Sequence, residues 1–178
     1  MTGLAIPVLA SEVPGNYLTA ALWTANVYNL GTFLLNPPDF VGTQTVAQSL
    51  PNTTWTALTL DTQQLDSYGG HSLVSNTSRY VAPLTGWYTV SGVAGIANNP
   101  SGARGARINV NGSPVQGCAT FLFAASGVDL GIPTPTRDIH LNTGDYVEVC
   151  GYQNSGGALN SAIFPDIASS LFVRFSHV

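Results

Sequence analysis

Pro83-Leu84-Thr85-Gly86-Trp87-Tyr88-Thr89-Val90-Ser91-Gly92 is the stretch of sequence that decides the fold. A proline and a glycine open it, and apolar residues then alternate with other residues through Tyr88, Val90, Ala94 and Ile96. A period of two places these four side chains on one face of a β-strand. The stretch therefore predicts a strand with one buried face.

Two other segments, 106–110 and 171–175, show the same period of two. Asn111-Gly112 follows the first of them and is typical of a tight hairpin, because both turn positions need a left-handed backbone. About eight to ten strands, separated by turns of this kind, are predicted in the second part of the chain. We therefore expect an all-β jelly-roll sandwich, the head domain, over residues 41–178.

Residues 1–40 follow a different pattern and are expected to form a separate N-terminal region. Pro7 and Pro14 disfavour regular structure, which predicts an extended arm up to residue 16. Thr19 is a suitable N-cap for a helix, and Asn36-Pro37-Pro38 ends that helix. One short α-helix is therefore predicted between the arm and the head.

The predicted helix carries a single apolar stripe, because four apolar residues recur at helical spacing. A helix of this length is unstable alone in water, so its stripe needs either its own symmetry mates or another protein. The stripe consists of Trp23, Val27, Leu30 and Leu34, and together with Leu18 and Leu22 these residues form the candidate anchor.

Charged residues are scarce in this chain. They make up 8% of the sequence, against 10% for aromatic residues, and the mean hydropathy is +0.19. A globular domain normally has about a quarter of its residues charged, which keeps it soluble and monomeric. The deficit predicts a subunit whose faces are covered by other protein.

The charge balance also excludes several partners. Lysine is absent, the net charge is −4, and the first cationic side chain is Arg79. Nucleic acid is therefore not an expected partner, and neither a P-loop nor a Schiff-base lysine can form. Every apolar run falls short of the ~20 residues that a membrane-spanning helix needs, so no membrane partner is expected.

Cys118 and Cys150 do not have the spacing of metal ligands. With no export signal evident in the sequence, we expect synthesis in a reducing cytoplasm, where structural disulfides are rare. The two cysteines are therefore interpreted as buried free thiols, with a disulfide as the alternative.

Three segments resemble the C1q/TNF-like jelly-roll family. They are the opening stretch 83–92, the run Arg107-Ile108-Asn109-Val110-Asn111-Gly112, and Leu141-Asn142-Thr143-Gly144-Asp145-Tyr146-Val147-Glu148-Val149. The resemblance covers about residues 44–178. The collagen stalk of animal C1q proteins is absent and the last strand differs, so complement-type and cytokine-type binding are not carried over.

The closest resemblance within this family is to the jelly-roll heads of tailed-bacteriophage virion proteins, in which a short segment like 18–27 precedes the head. It implies a homotrimer on the virion surface, made in the host cytoplasm and attached to a capsid or tail protein through residues 1–40. The implied role is a capsid decoration or head-fibre subunit. The alternative is a tail-associated receptor-binding protein that recognises a host cell-surface glycan.

Candidate residues for these roles come from strand ends, turns and alternation. Outward-facing aromatic residues are candidates for the trimer interface, and polar residues in loops are candidates for ligand binding. The interface candidates are Tyr146, Tyr152 and Phe172, and the loop candidates are Tyr68, His71, Asn98 and Asn99.

No catalytic set is expected, and neither a cofactor nor a metal is required. Asp138 and His140 lie two apart on a predicted strand and could pair, but polar residues on an exposed strand face are the favoured interpretation. Asp61 and Asp66 could bind calcium, but Asx-turns are favoured. A polysaccharide-degrading enzyme ranks third, because no two carboxylates are brought together across a cleft.

Overall fold

The computed structural model describes residues 5–9, 17 and 19–178. Within them, one continuous helix consists of α1 (Ala20–Trp23), a π-helical turn (Thr24–Tyr28) and α2 (Asn29–Leu35). Thirteen strands follow in the described chain, four of them only two residues long. The strands are β1 (Asp39–Thr43), β2 (Ser49–Leu50), β3 (Thr56–Ala57), β4 (Thr62–Asp66), β5 (Tyr80–Val81), β6 (Gly86–Ile96), β7 (Ala103–Val110), β8 (Ser113–Phe123), β9 (Leu130–Pro133), β10 (Arg137–Leu141), β11 (Tyr146–Gln153), β12 (Leu159–Asn160) and β13 (Ser170–His177).

The strands form two antiparallel sheets that pack face to face. The first sheet has the order β10-β6-β13-β1-β4, with β9 also paired to β6. The second has the order β3-β11-β7-β8, with β5 also paired to β11, and β12 pairs with β2 in a small third sheet. The prediction of an all-β jelly-roll sandwich with one short helix is confirmed.

The opening stretch begins β6, an interior strand of the first sheet with one buried face, as the period of two predicted. In β6, Tyr88, Val90, Ala94 and Ile96 are all completely buried. β13 lies beside it, with Val173 opposite Val90. The inward face of β13 consists of Leu171, Val173 and Phe175, and all three are buried. Alternation alone therefore identified the residues at the centre of the core.

The Asn111-Gly112 hairpin also forms as predicted. It joins β7 to β8, and both residues have positive φ angles, 50° for Asn111 and 77° for Gly112. A neighbouring turn is tied to it by Asp145, whose Oδ1 accepts a hydrogen bond from Asn111 Nδ2 at 2.8 Å. Oδ2 of the same carboxylate accepts from the backbone nitrogen of Asn142 at 2.7 Å. These hydrogen bonds, the one from Asn111 first, lower the pKa of Asp145.

We expect Asp145→Asn to lower the free energy of unfolding by about 1 kcal/mol at neutral pH, because an amide replaces a carboxylate that accepts two good hydrogen bonds in a partly solvated site. A carboxylate whose pKa is lowered on folding contributes stability above its unfolded pKa of about 3.9 and loses it as the pH falls further. The difference in the free energy of unfolding between the wild type and Asp145→Asn should therefore shrink in acid. Urea unfolding at neutral pH and near pH 3 measures it, with exposed Asp166→Asn as control.

The helix begins and ends where the sequence predicted. Thr19 Oγ1 accepts a hydrogen bond from the backbone nitrogen of Leu22 at 3.2 Å, and Asn36 caps the other end ahead of two prolines. The side of the helix that faces the head, however, differs from the predicted stripe. Phe33 is the one buried residue of the described helix, and Leu30 is half-buried.

Phe33 joins the helix to the end of the sandwich. Its ring meets that of Phe175 edge-on with the centroids 5.5 Å apart, and Phe175 in turn packs against Tyr88 at 5.3 Å. The connection to β1 is fixed as well, because Ser67 Oγ donates to the carbonyl oxygen of Pro37 at 2.7 Å. We call this end of the sandwich the helix end and the opposite one, near Asn98, the far end.

Candidate functional site

The helix presents an apolar surface that the described chain does not cover. Trp23 is 52% exposed, Val27 45% and Leu34 67%. We call these three residues the exposed helix face. Of the other candidate anchor residues, Leu22 and Leu30 are half-buried, and Leu18 lies outside the described residues.

No residue of the helix from Ala20 to Leu35 carries a charge. An exposed helix in water usually presents a polar face opposite its apolar stripe. Gly31 and several β-branched residues also give this helix a low intrinsic propensity. Its composition is therefore that of a helix stabilised by contact with other protein.

The outer face of the first sheet is suited to protein contact. Phe172 of β13 is half-buried on this face, between Val41 of β1 and Ser91 of β6. Arg174, two residues further along the strand, is paired with Asp39. Its Nε and Nη2 donate to the two carboxylate oxygens of Asp39, both at 2.9 Å. This hydrogen bonding raises the pKa of Arg174.

Asp138 and His140 share this outer face but make separate contacts. Asp138 accepts a hydrogen bond from Thr89 Oγ1 at 2.6 Å. The ring of His140 instead meets Trp87, with the centroids 5.5 Å apart, and His177 stacks on the same indole at 6.0 Å. These contacts give the two side chains structural roles on an exposed strand face.

Asp61 lies just before β4 and Asp66 is the last residue of β4, and both accept hydrogen bonds from backbone nitrogens at least four residues away, which is not the contact of an Asx-turn. Asp61 accepts hydrogen bonds from the backbone nitrogens of Thr45 and Val46, both at 2.7 Å. Although burial acts to raise the pKa of Asp61, these bonds lower it. Asp66 accepts from the backbone nitrogens of Gly70 and His71. Within the described residues, no three His, Cys, Asp or Glu side chains come together as metal ligands.

The outer face of the second sheet carries an aromatic cluster of Trp55, Phe121 and Tyr152. The ring centroids of Trp55 and Tyr152 are 5.2 Å apart, and those of Trp55 and Phe121 are 5.5 Å apart. Gly105 lies beneath them, and a Cβ atom there would come within 2.8 Å of the Phe121 ring. The backbone of Gly105 therefore provides the floor on which the rings pack.

The three interface candidates thus belong to two different faces. Tyr152 and Tyr146 are on the outer face of the second sheet, whereas Phe172 is on that of the first. Tyr146 lies under the guanidinium of Arg79, 4.0 Å from it. The structure does not bring Phe172 together with the two tyrosines.

The four loop candidates are likewise divided between two places. Tyr68 and His71 lie at the helix end, where His71 Nδ1 is 2.8 Å from the carbonyl oxygen of Arg79 and Nε2 is 2.9 Å from that of Leu60. Asn98 and Asn99 lie at the far end, where Asn98 Oδ1 accepts from the backbone nitrogen of Gly127 in a neighbouring loop and Asn99 Oδ1 accepts from that of Ser101 in its own loop. They therefore do not form one ligand site.

Arg104 is a structural residue that the sequence did not indicate. It is 1% exposed, and Nη1 donates to the carbonyl oxygen of Ser101 at 2.9 Å while Nη2 donates to that of Asn99 at 3.0 Å. Burial lowers its pKa. Because its partners are backbone carbonyls rather than acids, no pattern of opposite charges in the sequence could have revealed it.

The two cysteines are buried free thiols. Strand β7 separates them, with Arg107 directly opposite Cys150. Two strand spacings are about 9.6 Å, which exceeds the Cα separation that a disulfide spans. Burial raises the pKa of Cys118 and raises that of Cys150 to about 11, so neither thiol is a ready nucleophile.

Among the described helices, none is long and apolar enough to cross a membrane.

Comparisons with known proteins identify the fold. No protein-family model matches the chain, and no curated protein matches it. Among solved structures, murine APRIL at pH 5.0 has a TM-score of 0.58 at 13% identity over 78% of this chain and 98% of that chain. Eiger TNF from S. frugiperda has a TM-score of 0.51 at 13% identity over 79% of this chain and 92% of that chain. The fold is therefore a TNF-like jelly roll, and at such low identity the likeness extends to the fold alone.

Proposed function

We propose that this protein is a non-enzymatic, trimeric structural subunit on the surface of a tailed-bacteriophage particle, attached to a capsid or tail protein through residues 1–40. The observation that carries the proposal is the exposed helix face. It lies on a helix without charge, in which Phe33 is the one buried residue of the described part and packs against the β head.

The energetics favour a protein partner for this face. Full burial of a large apolar side chain contributes about 1.5–3 kcal/mol. Trp23, Val27 and Leu34 are each roughly half exposed or more. Covering all three would therefore contribute several kcal/mol, before the cost of ordering the interface. A helix at one end of the head can supply this contact while the far end stays free.

The trimer is assigned to the outer face of the first sheet. That face combines a half-buried Phe172 with a neutralised Asp39–Arg174 pair. Phe172 can be covered on this face without leaving the neighbouring Arg174 guanidinium unpaired, because that charge already has Asp39 as its partner. Of the interface candidates, Phe172 is therefore preferred over Tyr146 and Tyr152.

The attachment is tested with a double variant, Trp23→Asp with Val27→Asp, and a control, Ala21→Asp with Thr24→Asp. The control adds the same charge to another side of the helix, where both positions are exposed. Each protein carries one epitope tag and is supplied during infection, and purified particles are scored by immunogold electron microscopy. We expect the wild type and the control to label particles and the double variant to label them at least tenfold less.

Two outcomes would count against the proposal. Equal labelling by the double variant would show that the exposed helix face is not the attachment surface. Particles without any wild-type label would show that the protein is not a virion component. The position of the label also separates a capsid role from a tail role.

The glycan-binding alternative remains a hypothesis. Its four predicted loop residues lie at opposite ends of the sandwich, so a site built from all of them is not available. Any glycan contact would have to use one end of the head, or the aromatic cluster of Trp55, Phe121 and Tyr152.

A further inference from the structure

A polar pocket of about 300 Å³ opens at the helix end of the head. It lies between the chain segment 69–79 and the start of β11. Arg79 is the permanent cation among its lining residues, and none of these residues is an aspartate or a glutamate, although the chain as a whole has a net charge of −4. The lining residues are Gly69, Gly70, His71, Ser72, Ser75, Asn76, Arg79, Val81 and Tyr146.

Arg79 is held in this pocket from two directions. Its Nε donates to Glu148 Oε1 at 3.0 Å, and its guanidinium carbon lies 4.0 Å from the centre of the Tyr146 ring. Glu148 is buried and also accepts a hydrogen bond from Ser78 Oγ at 2.8 Å. The guanidinium plane is therefore fixed by an ion pair on one edge and by an aromatic ring on one face.

The backbone of Arg79 is fixed as well. Its nitrogen donates to the carbonyl oxygen of Asn76 at 2.9 Å, and its own carbonyl oxygen lies 2.8 Å from His71 Nδ1. A side chain anchored in this way loses little conformational entropy when it binds a ligand. The arginine is preorganised rather than free to sample the solvent.

The contact with Glu148 uses Nε and leaves the two Nη groups for other partners. The Arg79 side chain is 35% exposed, whereas that of Glu148 is 7% exposed. Two neighbouring Nη groups form a planar fork that matches the two oxygens of a carboxylate or phosphate. Ser75 and Asn76 add neutral polar side chains to the pocket wall. Two carboxylates contact lining residues from behind the wall, Glu148 at Arg79 Nε and Asp66 at the backbone nitrogens of Gly70 and His71.

We propose that this pocket binds one oxyanion group, a carboxylate or a phosphate, through the Nη fork of Arg79. The pocket has room for the anionic group and part of the molecule that bears it, such as an acidic sugar or a free phosphate. A neutral sugar would not use the charge of the fork. The proposal is independent of the virion role, because it concerns the head and not the helix.

The test uses the full-length protein labelled with nitrogen-15. Its five arginines give a small set of Nε–H resonances, and the Arg79 resonance is identified by its loss in Arg79→Lys. Inorganic phosphate, glucuronate and neutral glucose are titrated separately at constant ionic strength. We expect phosphate or glucuronate to shift the Arg79 resonance with a Kd on the order of 1–10 mM, and glucose to leave it in place.

Two variants check that the effect belongs to the pocket. Arg79→Gln should weaken binding at least fivefold, measured on the amide resonances of Gly69 and Gly70. Arg137→Gln is the matched control, because Arg137 is an exposed arginine on β10 in the other sheet. If Arg79→Gln does not fold, Arg79→Lys replaces it, since lysine keeps a positive charge beside Glu148.

The titrations also separate the sources of the ligand and the ways in which the proposal fails. A response to glucuronate alone indicates an acidic saccharide, and a response to phosphate alone indicates a phosphate-bearing ligand. No shift of the Arg79 resonance with either anion would overturn the proposal. So would equal binding by Arg79→Gln, or an equal loss of binding in Arg137→Gln.

Discussion

Replacing Phe33 with alanine is expected to lower the free energy of unfolding by about 3 kcal/mol, at the low end for a buried phenylalanine because the ring closes the end of the core rather than its centre. Phe33 is 6% exposed, and its removal uncovers Phe175 and, behind it, Tyr88. For a chain of this size the midpoint of thermal unfolding should fall by roughly 6–12 °C. Calorimetry and urea unfolding measure the two quantities.

Leu35→Ala is the matched control for this prediction. Leu35 lies on the same helix and is 89% exposed, so its replacement should change the free energy of unfolding by about 0.5 kcal/mol or less. Equal stability of Phe33→Ala and Leu35→Ala would contradict the assignment of Phe33 as the contact between helix and head. A loss in both variants would instead point to the helix as a whole.

The strands were predictable from the sequence because each buried strand has one inward face. A period of two is visible at Tyr88, Val90 and Val173 without knowledge of their partners. The hairpin at Asn111-Gly112 was predictable for a different reason, since few residue pairs tolerate two left-handed positions. These features depend on local sequence, and the fold class followed from them.

The orientation of the helix was not predictable in the same way. Apolar residues occur on more than one side of it, so periodicity alone does not select the side that meets the head. The predicted stripe was expected to meet another protein or a symmetry mate and is exposed at Leu34, whereas the residue that meets the head, Phe33, lies outside that stripe. A π-helical turn at Thr24–Tyr28 also changes the angular spacing along the helix. The choice of side depends on the fit of one ring against Phe175.

The candidate sites depend on contacts between residues that are distant in sequence. Arg79 and Glu148 meet because β5 pairs with β11, which places Arg79, the residue before β5, beside Glu148. Trp55, Phe121 and Tyr152 come from three strand regions and share a face only in the folded sheet. Tyr152 and His71 were predicted from the sequence as separate candidates, and only the folded sheets show which residues surround each of them.

Replacing Phe172 with aspartate is expected to convert the proposed trimer into monomer. One chain has a mass of 18.6 kDa. Light scattering after size exclusion should give three times this mass for the wild type and the mass of a single chain for the variant. A carboxylate at this position would be desolvated in the interface without a free cation, because Arg174 is already paired with Asp39. Leaving a buried charge unpaired costs several kcal/mol, enough to dissociate a contact of ordinary strength.

Phe121→Asp is the matched control for the interface, since Phe121 is an exposed aromatic residue on the outer face of the other sheet. It should leave the trimer intact if the first sheet forms the contact. The reverse result, dissociation by Phe121→Asp alone, would move the interface to the face that carries Tyr152. A wild-type chain that remains a monomer at high concentration would contradict more than this assignment, because the scarcity of charged residues would then need an explanation other than burial between subunits.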